Sequence, residues 1–513
     1  MTTLIDNQLD RPPYAALMPR TQIDGVLVIQ RDSPGPLAAS LTFGCGSRDD
    51  EIDSIGLTHL VQHLVHWDEL HVTEQSEDNV WVIETSFTAA GPPDQVAARF
   101  TDICAAVSRL PPKDLSDAVA DLDADSLYVS NIDDGLLDPW GSLLARRYGP
   151  RGHGLSRWPA VDYELLTADE VRRHVQRFFT SDNAVLSVTA DAPQAMRLGL
   201  PAGPRPTHDT TLAHHRFGPV WYADEVHGVA LVVGVEPSVE AVLLMSMLRS
   251  RVLRAVEQAG VAELAELMSE VIDGTRHELG IRVIPGDGRK AKSFDAAVAA
   301  EAIWTELRRL VHSGPDPAEL ADFLSPEDVP IPASLVPLFE SRAWAKPIEK
   351  VDSAVQQELF GTAELYYSDR LTELAGFTPE AARDVMSDWL SSAMIVVPYG
   401  SQPNLPGVTD DSCPRTRFVP AGEVIRPPLL KRLGNKGSLV IGTDTISTVD
   451  GDGTAHTVPL SEALVAERFG ALWLAHLGHG CVTRISDFAD AADKLRAVLP
   501  PRRFRQAPKS RLL

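Results

Sequence analysis

The chain reads as an α+β protein: two tandem homologous α/β-sandwich halves followed by a small C-terminal β-barrel-like domain. Three observations predict this. Its 513 residues allow about three domains at roughly 150 residues each. A series of strands and helices ending on a closing strand occurs twice, over 25–200 and again over 218–400. Short alternating segments then crowd into 431–490 ahead of one amphipathic helix.

The elements follow in order. Residues 1–24 form an N-terminal extension whose opening, MTTLIDNQLDRPPYAALMPR, has no apolar core behind a basic start, so no signal peptide is expected. GVLVIQRD and LAASLTF read as strands, GCGSRDDEIDS as a loop, and an apolar-periodic helix runs from about Ile55 to His66. Residues 80–88 are β-rich. In DQVAARFTDICAAVSRL, Val96, Phe100, Ile103, Cys104 and Val107 share a helical face, and Pro111-Pro112 ends that helix. Helices over roughly 114–130 and 136–147 come next. ADEVRRHVQRFFTSDNAVLSVTAD then gives a helix, a turn and a strand. Each half is expected to fold as a sheet with helices over one face.

Residues 201–217 read as a linker. In the second half, VALVVG is a strand, a helix covers about Val239 to Ala259, and a strand lies near 278–284. A long helix spans 293–313, and AMIVVPYG closes the half. A Pro-rich joint, 401–430, leads to 431–513. There SLVIG, TISTVD, HTVPL, ALWLAH and CVTRIS read as strands, and FADAADKLRAVL as a helix. Strands closed by one helix resemble a pleckstrin-homology-like domain in architecture. The final PRRFRQAPKSRLL carries five basic residues and no acid, the pattern of a solvated tail or an interaction arm.

Composition narrows function. Asp plus Glu number 71 against 47 Lys plus Arg, a net charge of −24, which excludes nucleic acid as the main ligand because phosphate contact needs clustered cations. No apolar run reaches the roughly 18 residues of a membrane span. The expected location is the cytoplasm. Cys45, Cys104, Cys413 and Cys481 lie far apart without a C-x-x-C pair, so four buried thiols are expected, with neither a disulfide framework nor a cysteine zinc site.

The informative segment is GCGSRDDEIDSIGLTHLVQHLVHWDE. On a helix, His59 and His63 project from one face, a metal-ligand spacing, and Gln62 shares that face. The loop and the His59-x-x-Gln62-His63 run resemble the inverzincin peptidases, the pitrilysin, insulin-degrading and mitochondrial processing peptidase family, whose signature is His-x-x-Glu-His. The resemblance continues through TAAGPPDQVAARFTDICAAVSRLPP and LLARRYGPRGHGLSRWPAVDYELLTADEVRRHVQRFFTSDNAVLSVTAD, and through SRVLRAVEQAG in the second half. It covers about 25–400 and implies halves of the processing-peptidase type.

The sequence departs from that pattern at three places. In the family, the motif glutamate takes a proton from zinc-bound water; here Gln62, an amide, stands there and cannot accept one. The third zinc ligand, a glutamate in family members, falls near Leu127 or Tyr128. Asp121, Asp123 or Asp125 are the nearby acids, with Asp125 the assigned candidate and a solvated helix face the alternative. Arg254 matches the family's substrate-gripping arginine, with a helix salt bridge, for instance to Glu257, as its other role. The tyrosine seven positions on is Val261, which removes a hydrogen bond to the tetrahedral intermediate.

The resemblance therefore implies a catalytically degenerate zinc-metallopeptidase homologue. Zinc at His59 and His63, with His66, Glu69 or His71 nearby, is expected to be weak or absent. The implied role is a non-catalytic peptide-binding or chamber-forming subunit for a peptide or precursor peptide. It would pair with a catalytic peptidase homologue as a heterodimer, or with itself as a homodimer. One alternative is an active zinc peptidase with a rearranged site, using Glu69, Glu74 or Glu77 as base. The other is a scaffold docking partners through its C-terminal domain.

Overall fold

The computed structural model describes residues 18–66, 75–112, 115–122, 135–213, 218–262, 264–285, 294–324, 346–361, 373–428, 437–468, 470–488 and 490–506. The first half builds one six-stranded sheet from β1 (Arg20–Ile23), β2 (Val26–Gln30), β3 (Leu37–Phe43), β4 (Gln75–Val80), β5 (Thr85–Gly91) and β6 (Ala184–Val188). Their order is β1-β2-β6-β3-β5-β4, antiparallel except for β2 beside β6. The second half uses β7 (Val220–Asp224), β8 (Val229–Val235), β9 (Leu264–Asp273), β10 (Arg276–Ile284), β11 (Met394–Pro398) and β12 (Thr409–Asp410). Their order, β12-β7-β11-β8-β10-β9, repeats the first topology over five strands, including the parallel pair β7–β11; the outer strand differs, since β12 follows β11 and runs parallel to β7 where β1 precedes β2 and runs antiparallel to it. Two identical crossovers in tandem are the mark of a duplicated unit.

Nine helices matter below: α1 (Leu57–His66), α2 (Pro93–Arg109), α3 (Pro139–Tyr148), α4 (Ala168–Phe178), α5 (Val239–Gln258), α6 (Ala296–Ser313), α7 (Pro317–Leu324), α8 (Lys346–Phe360) and α9 (Ala491–Val498). Successive strand residues point to opposite faces, so β3 shows what covers each face. Leu37, Ala39, Leu41 and Phe43 pack with Leu60 of α1, Phe100 of α2 and Val175 of α4. Ala38 turns the other way, into a cluster with Val351, Ala354, Val355 and Leu359 of α8. The second sheet mirrors this. Val229, Leu231 and Val233 meet α5 and α6, while Ala230 and Val232 meet Trp140, Leu143, Leu144 and Tyr148 of α3.

Each sheet is thus covered on both faces, and the second cover comes from the opposite half. The expectation of helices over one face is corrected: α3 and α8 are exchanged between halves. This explains why every residue of β3 is buried.

The C-terminal part holds two four-stranded sheets. One is β13 (Glu423–Ile425), β14 (Ser438–Ile441), β15 (Thr445–Val449) and β16 (Ala455–Pro459). The other orders β19 (Cys481–Arg484), β18 (Ala471–His476), β17 (Ala463–Arg468) and β20 (Phe504–Arg505). The sheets share a core with α9 but do not close, so the barrel-like expectation is corrected to an open pair. Ala463 and Val465 face that core; Leu464 and Ala466 face Leu136, Leu155 and Trp158 of the first half.

The basic run after α9 is likewise not a solvated tail where it is described. Arg502 pairs with Glu170 at 2.5 Å and Arg503 with Asp53 at 2.5 Å. No described helix is long and apolar enough to cross a membrane.

Candidate functional site

Helix α1 begins where the loop after β3 turns back on itself. The buried Asp50 carboxyl accepts from Gly56 N at 2.8 Å, Thr58 N at 3.0 Å and Thr58 Oγ1 at 2.8 Å, closing the helix N-terminus. Gly56 takes φ +99°, a conformation open to glycine at little cost. Burial pushes the Asp50 carboxyl up to about 7 against the pull of these donors. Thr58 Oγ1 also lies 3.0 Å from His174 Nε2, which is 3.5 Å from Cys45 Sγ. Burial holds the His174 imidazole down, to about 4. This polar chain fixes the pitch and rotation of α1 from beneath.

The apolar side of α1, including Leu60, Val61 and Leu64, enters the core. The sequence expectation placed His59, Gln62 and His63 together, and the structure brings the two imidazoles face to edge with centroids 4.8 Å apart. Gln62 is buried, 7% exposed, and His63 is 9% exposed. His63 Nδ1 lies 2.9 Å from Asp121 Oδ2, so Nδ1–H donates to the carboxylate. His66 Nδ1 reaches Asp78 Oδ2 at 3.0 Å, and that hydrogen bond raises the His66 pKa. Asp78, on the edge strand β4, also takes Arg99 Nη2 at 2.6 Å.

A zinc peptidase needs three protein ligands and a base. Asp121 touches His63 through Nδ1, the place of an orienting outer partner rather than of a ligand beside Nε2. Among the described residues, the one group of three His, Cys, Asp or Glu donors gathered within 4.8 Å is Cys413, His456 and Cys481, far along the chain. Among the described residues no third donor is gathered with His59 and His63, and positions 123–134, where the sequence places the third ligand, lie outside them, so no step is routed through a zinc.

The other expected residues are dispersed. Asp123, Asp125, Glu69, His71 and Glu74 lie outside the described residues; Glu77 is on β4. Arg254, 58% exposed on α5, pairs with Glu319 of α7 at 3.2 Å, a partner sixty-five positions away that no helical spacing marks. Val261 packs against the core of the second half. Sequence reasoning missed the Asp50 cap, which an acid before the Gly-x-Thr start of α1 could have signalled. It also missed the pairing of Cys413 with Cys481, which the structure joins as a disulfide. The expectation of four free thiols is corrected, since residues 68 apart carry no local sign of contact.

No family model matches the chain, and no curated protein matches it by sequence. Its fold has clear counterparts. The peptidase M16 inactive domain from Pseudomonas fluorescens is 14% identical, with 76% of this chain and 99% of that one covered at a TM-score of 0.54. A chain of complex III2 from Candida albicans is 13% identical over 74% and 95%, at 0.54. The first half of the periplasmic protease PqqL from Escherichia coli is 16% identical over 75% and 92%, at 0.50. With its doubled sheet topology and its helix bearing His59, Gln62 and His63, this chain has the fold of the pitrilysin-type, or inverzincin, peptidases.

Proposed function

We propose that the chain is a catalytically silent member of this fold that binds extended peptide without cutting it and serves as the non-catalytic partner of an active peptidase chain or of a second copy of itself. The observation that carries this reading is Gln62, a buried amide on the motif face of α1 where the family has its base. The absence of any glutamate from the sequence between Pro112 and Asp134, where the family has its third ligand, supports it. So does the likeness in fold to an M16 domain described as inactive.

Peptide binding has a structural basis in the sheet edge. Among the described strands, β4 stands at the end of the first sheet beside β5, and His66 of α1 is tied to its Asp78. An extended peptide can add there as a further strand, with main-chain hydrogen bonds supplying affinity.

The test uses the purified full chain, unstructured fluorogenic peptides and added zinc. The expected result is binding by fluorescence anisotropy with no turnover, and no turnover in Gln62→Glu, because restoring the base leaves the ligand set incomplete. Hydrolysis by the unmodified chain that disappears in His59→Ala would overturn the reading.

A further inference from the structure

The C-terminal part gathers four nitrogen and sulfur donors that the peptidase-like reading does not use. Cys413 follows β12, on the strap that leaves the second half. His456 lies on β16, His476 ends β18, and Cys481 opens β19. All four are buried, at 7, 2, 5 and 0% exposure. Cys481 Sγ is 3.6 Å from His456 Nε2, and the same nitrogen is 3.3 Å from His476 Nδ1. One N–H on His456 can serve only one of these neighbours. A cation between them engages all.

The donor atoms of Cys413, His456 and Cys481 all lie within 4.8 Å of one another, and His476 joins them through His456. Zn–N bonds of about 2.05 Å and Zn–S bonds of about 2.3 Å put N···N near ~3.4 Å and N···S near ~3.6 Å. The outer layer is also in place. Glu462 Oε2 lies 3.0 Å from His476 Nε2, so Nε2–H donates to the carboxylate and the Nδ1 lone pair is aimed at His456. Carboxylate–histidine pairs of this kind orient metal-binding imidazoles. Arg146 Nη1 stands 3.7 Å from Cys413 Sγ, where it favours a thiolate. An open pocket of about 810 Å³ lined by Cys413, Tyr399, Arg415 and Thr483 gives solutes a path in.

We propose that Cys413, Cys481, His456 and His476 form a closed structural site for a thiophilic divalent cation of the Zn²⁺ class once the Cys413–Cys481 disulfide is reduced. The disulfide and the metal are then alternative closures of one cross-link, each pinning the strap to the C-terminal sheets. The Cα atoms stand 7.0 Å apart, just beyond the usual span of about 4.4–6.8 Å, so side-chain rotation opens the sulfurs to the ~3.8 Å of a tetrahedral dithiolate. The reductant is a small dithiol. It gives two electrons and two protons to the protein disulfide and leaves as its own disulfide. Metal binding then releases both thiol protons to solvent.

The experiment uses the full chain, reduced with a dithiol, desalted without oxygen and titrated with Co²⁺, then Zn²⁺. The expected result is one Co²⁺ per chain with thiolate charge-transfer and tetrahedral d–d absorption, displaced by Zn²⁺. Metal should protect two thiols from alkylation, and the oxidised chain should show no such absorption. Glu462→Gln should weaken binding by about 10–100-fold. Cys481→Ser should abolish the charge-transfer band, whereas His59→Ala should leave it intact. Should Cys481→Ser fail to fold, thiol protection in the unmodified chain decides. Free alkylation of both thiols in excess metal, or a cobalt spectrum lost in His59→Ala, overturns the proposal.

Discussion

Replacing Asp224 by asparagine should destabilise the chain by about 3–5 kcal/mol, the cost of leaving a buried charge unpaired. Asp224 and Arg157 are both fully buried, and Arg157 Nη1 meets Asp224 Oδ2 at 2.5 Å. The same Oδ2 takes Ser142 Oγ at 2.7 Å, while Oδ1 takes Val482 N and Glu225 N, each at 2.8 Å. One carboxylate thus joins the first half, the second half and the C-terminal part. An asparagine keeps the two backbone donors on its oxygen but turns an N–H₂ toward Arg157, so a donor faces a donor and the guanidinium loses its counter-charge. Arg157→Met leaves the carboxylate with its three other donors, placing its cost near the lower end, about 3 kcal/mol. The double variant removes both charges and should cost less than the sum of the singles by about 2–3 kcal/mol. Urea unfolding of the full chain, followed by tryptophan fluorescence, measures all three. Additive singles, or a cost for Asp224→Asn below about 1 kcal/mol, would refute the claim that this pair ties the three parts together.

Two further outcomes are expected. Asp50 keeps its proton in the fold up to about pH 7, whereas an unfolded aspartate ionises near 3.8, so this group loses stability as pH rises through that window. Asp50→Asn lacks the titration, and its stability relative to the unmodified chain should improve by a few kcal/mol between about pH 4 and 7.5; a flat difference across that range counts against the buried acid. Leu143→Ala removes a fully buried side chain of α3 and should cost about 2–5 kcal/mol. Because Leu143 belongs to the first half but packs on the second sheet, proteolytic susceptibility should rise in both halves, and a rise confined to the first would show that the exchanged helix does not couple them.

Much of the fold was legible because burial writes a period into the sequence. LAASLTF, VALVVG and the helix starting near Ile55 announced themselves, and so did the repeat of element order. The motif face was legible for the same reason, since four-residue spacing on α1 needs no tertiary information. The β4–β5 hairpin was harder: Gln75–Val80 reads Gln-Ser-Glu-Asp-Asn-Val, with no apolar alternation, because it is an edge strand whose Asp78 is satisfied from α1 and α2. The helix exchange was hidden because an amphipathic stripe shows that a helix packs, not which sheet receives it. Contacts such as Arg157 with Asp224, or Cys413 with Cys481, join residues 67 and 68 positions apart and leave no local trace.

The departures at the motif are physically linked rather than independent. A glutamate at position 62, largely buried on α1, is tolerable when a zinc ion beside it supplies positive charge. Without the ion, a buried carboxylate pays desolvation or holds its proton at neutral pH. Glutamine fills the same volume, keeps hydrogen-bonding capacity and carries no charge. The described support of α1 is independent of the motif face: Asp50, Thr58 and His174 fix the helix from below, and Leu60, Val61 and Leu64 bury its apolar side. A motif face without a bound cation therefore favours the amide on stability grounds alone. In the proposed silent role, Gln62 spares the motif face of α1 a buried carboxylate next to β4, the edge strand to which the proposal assigns the peptide.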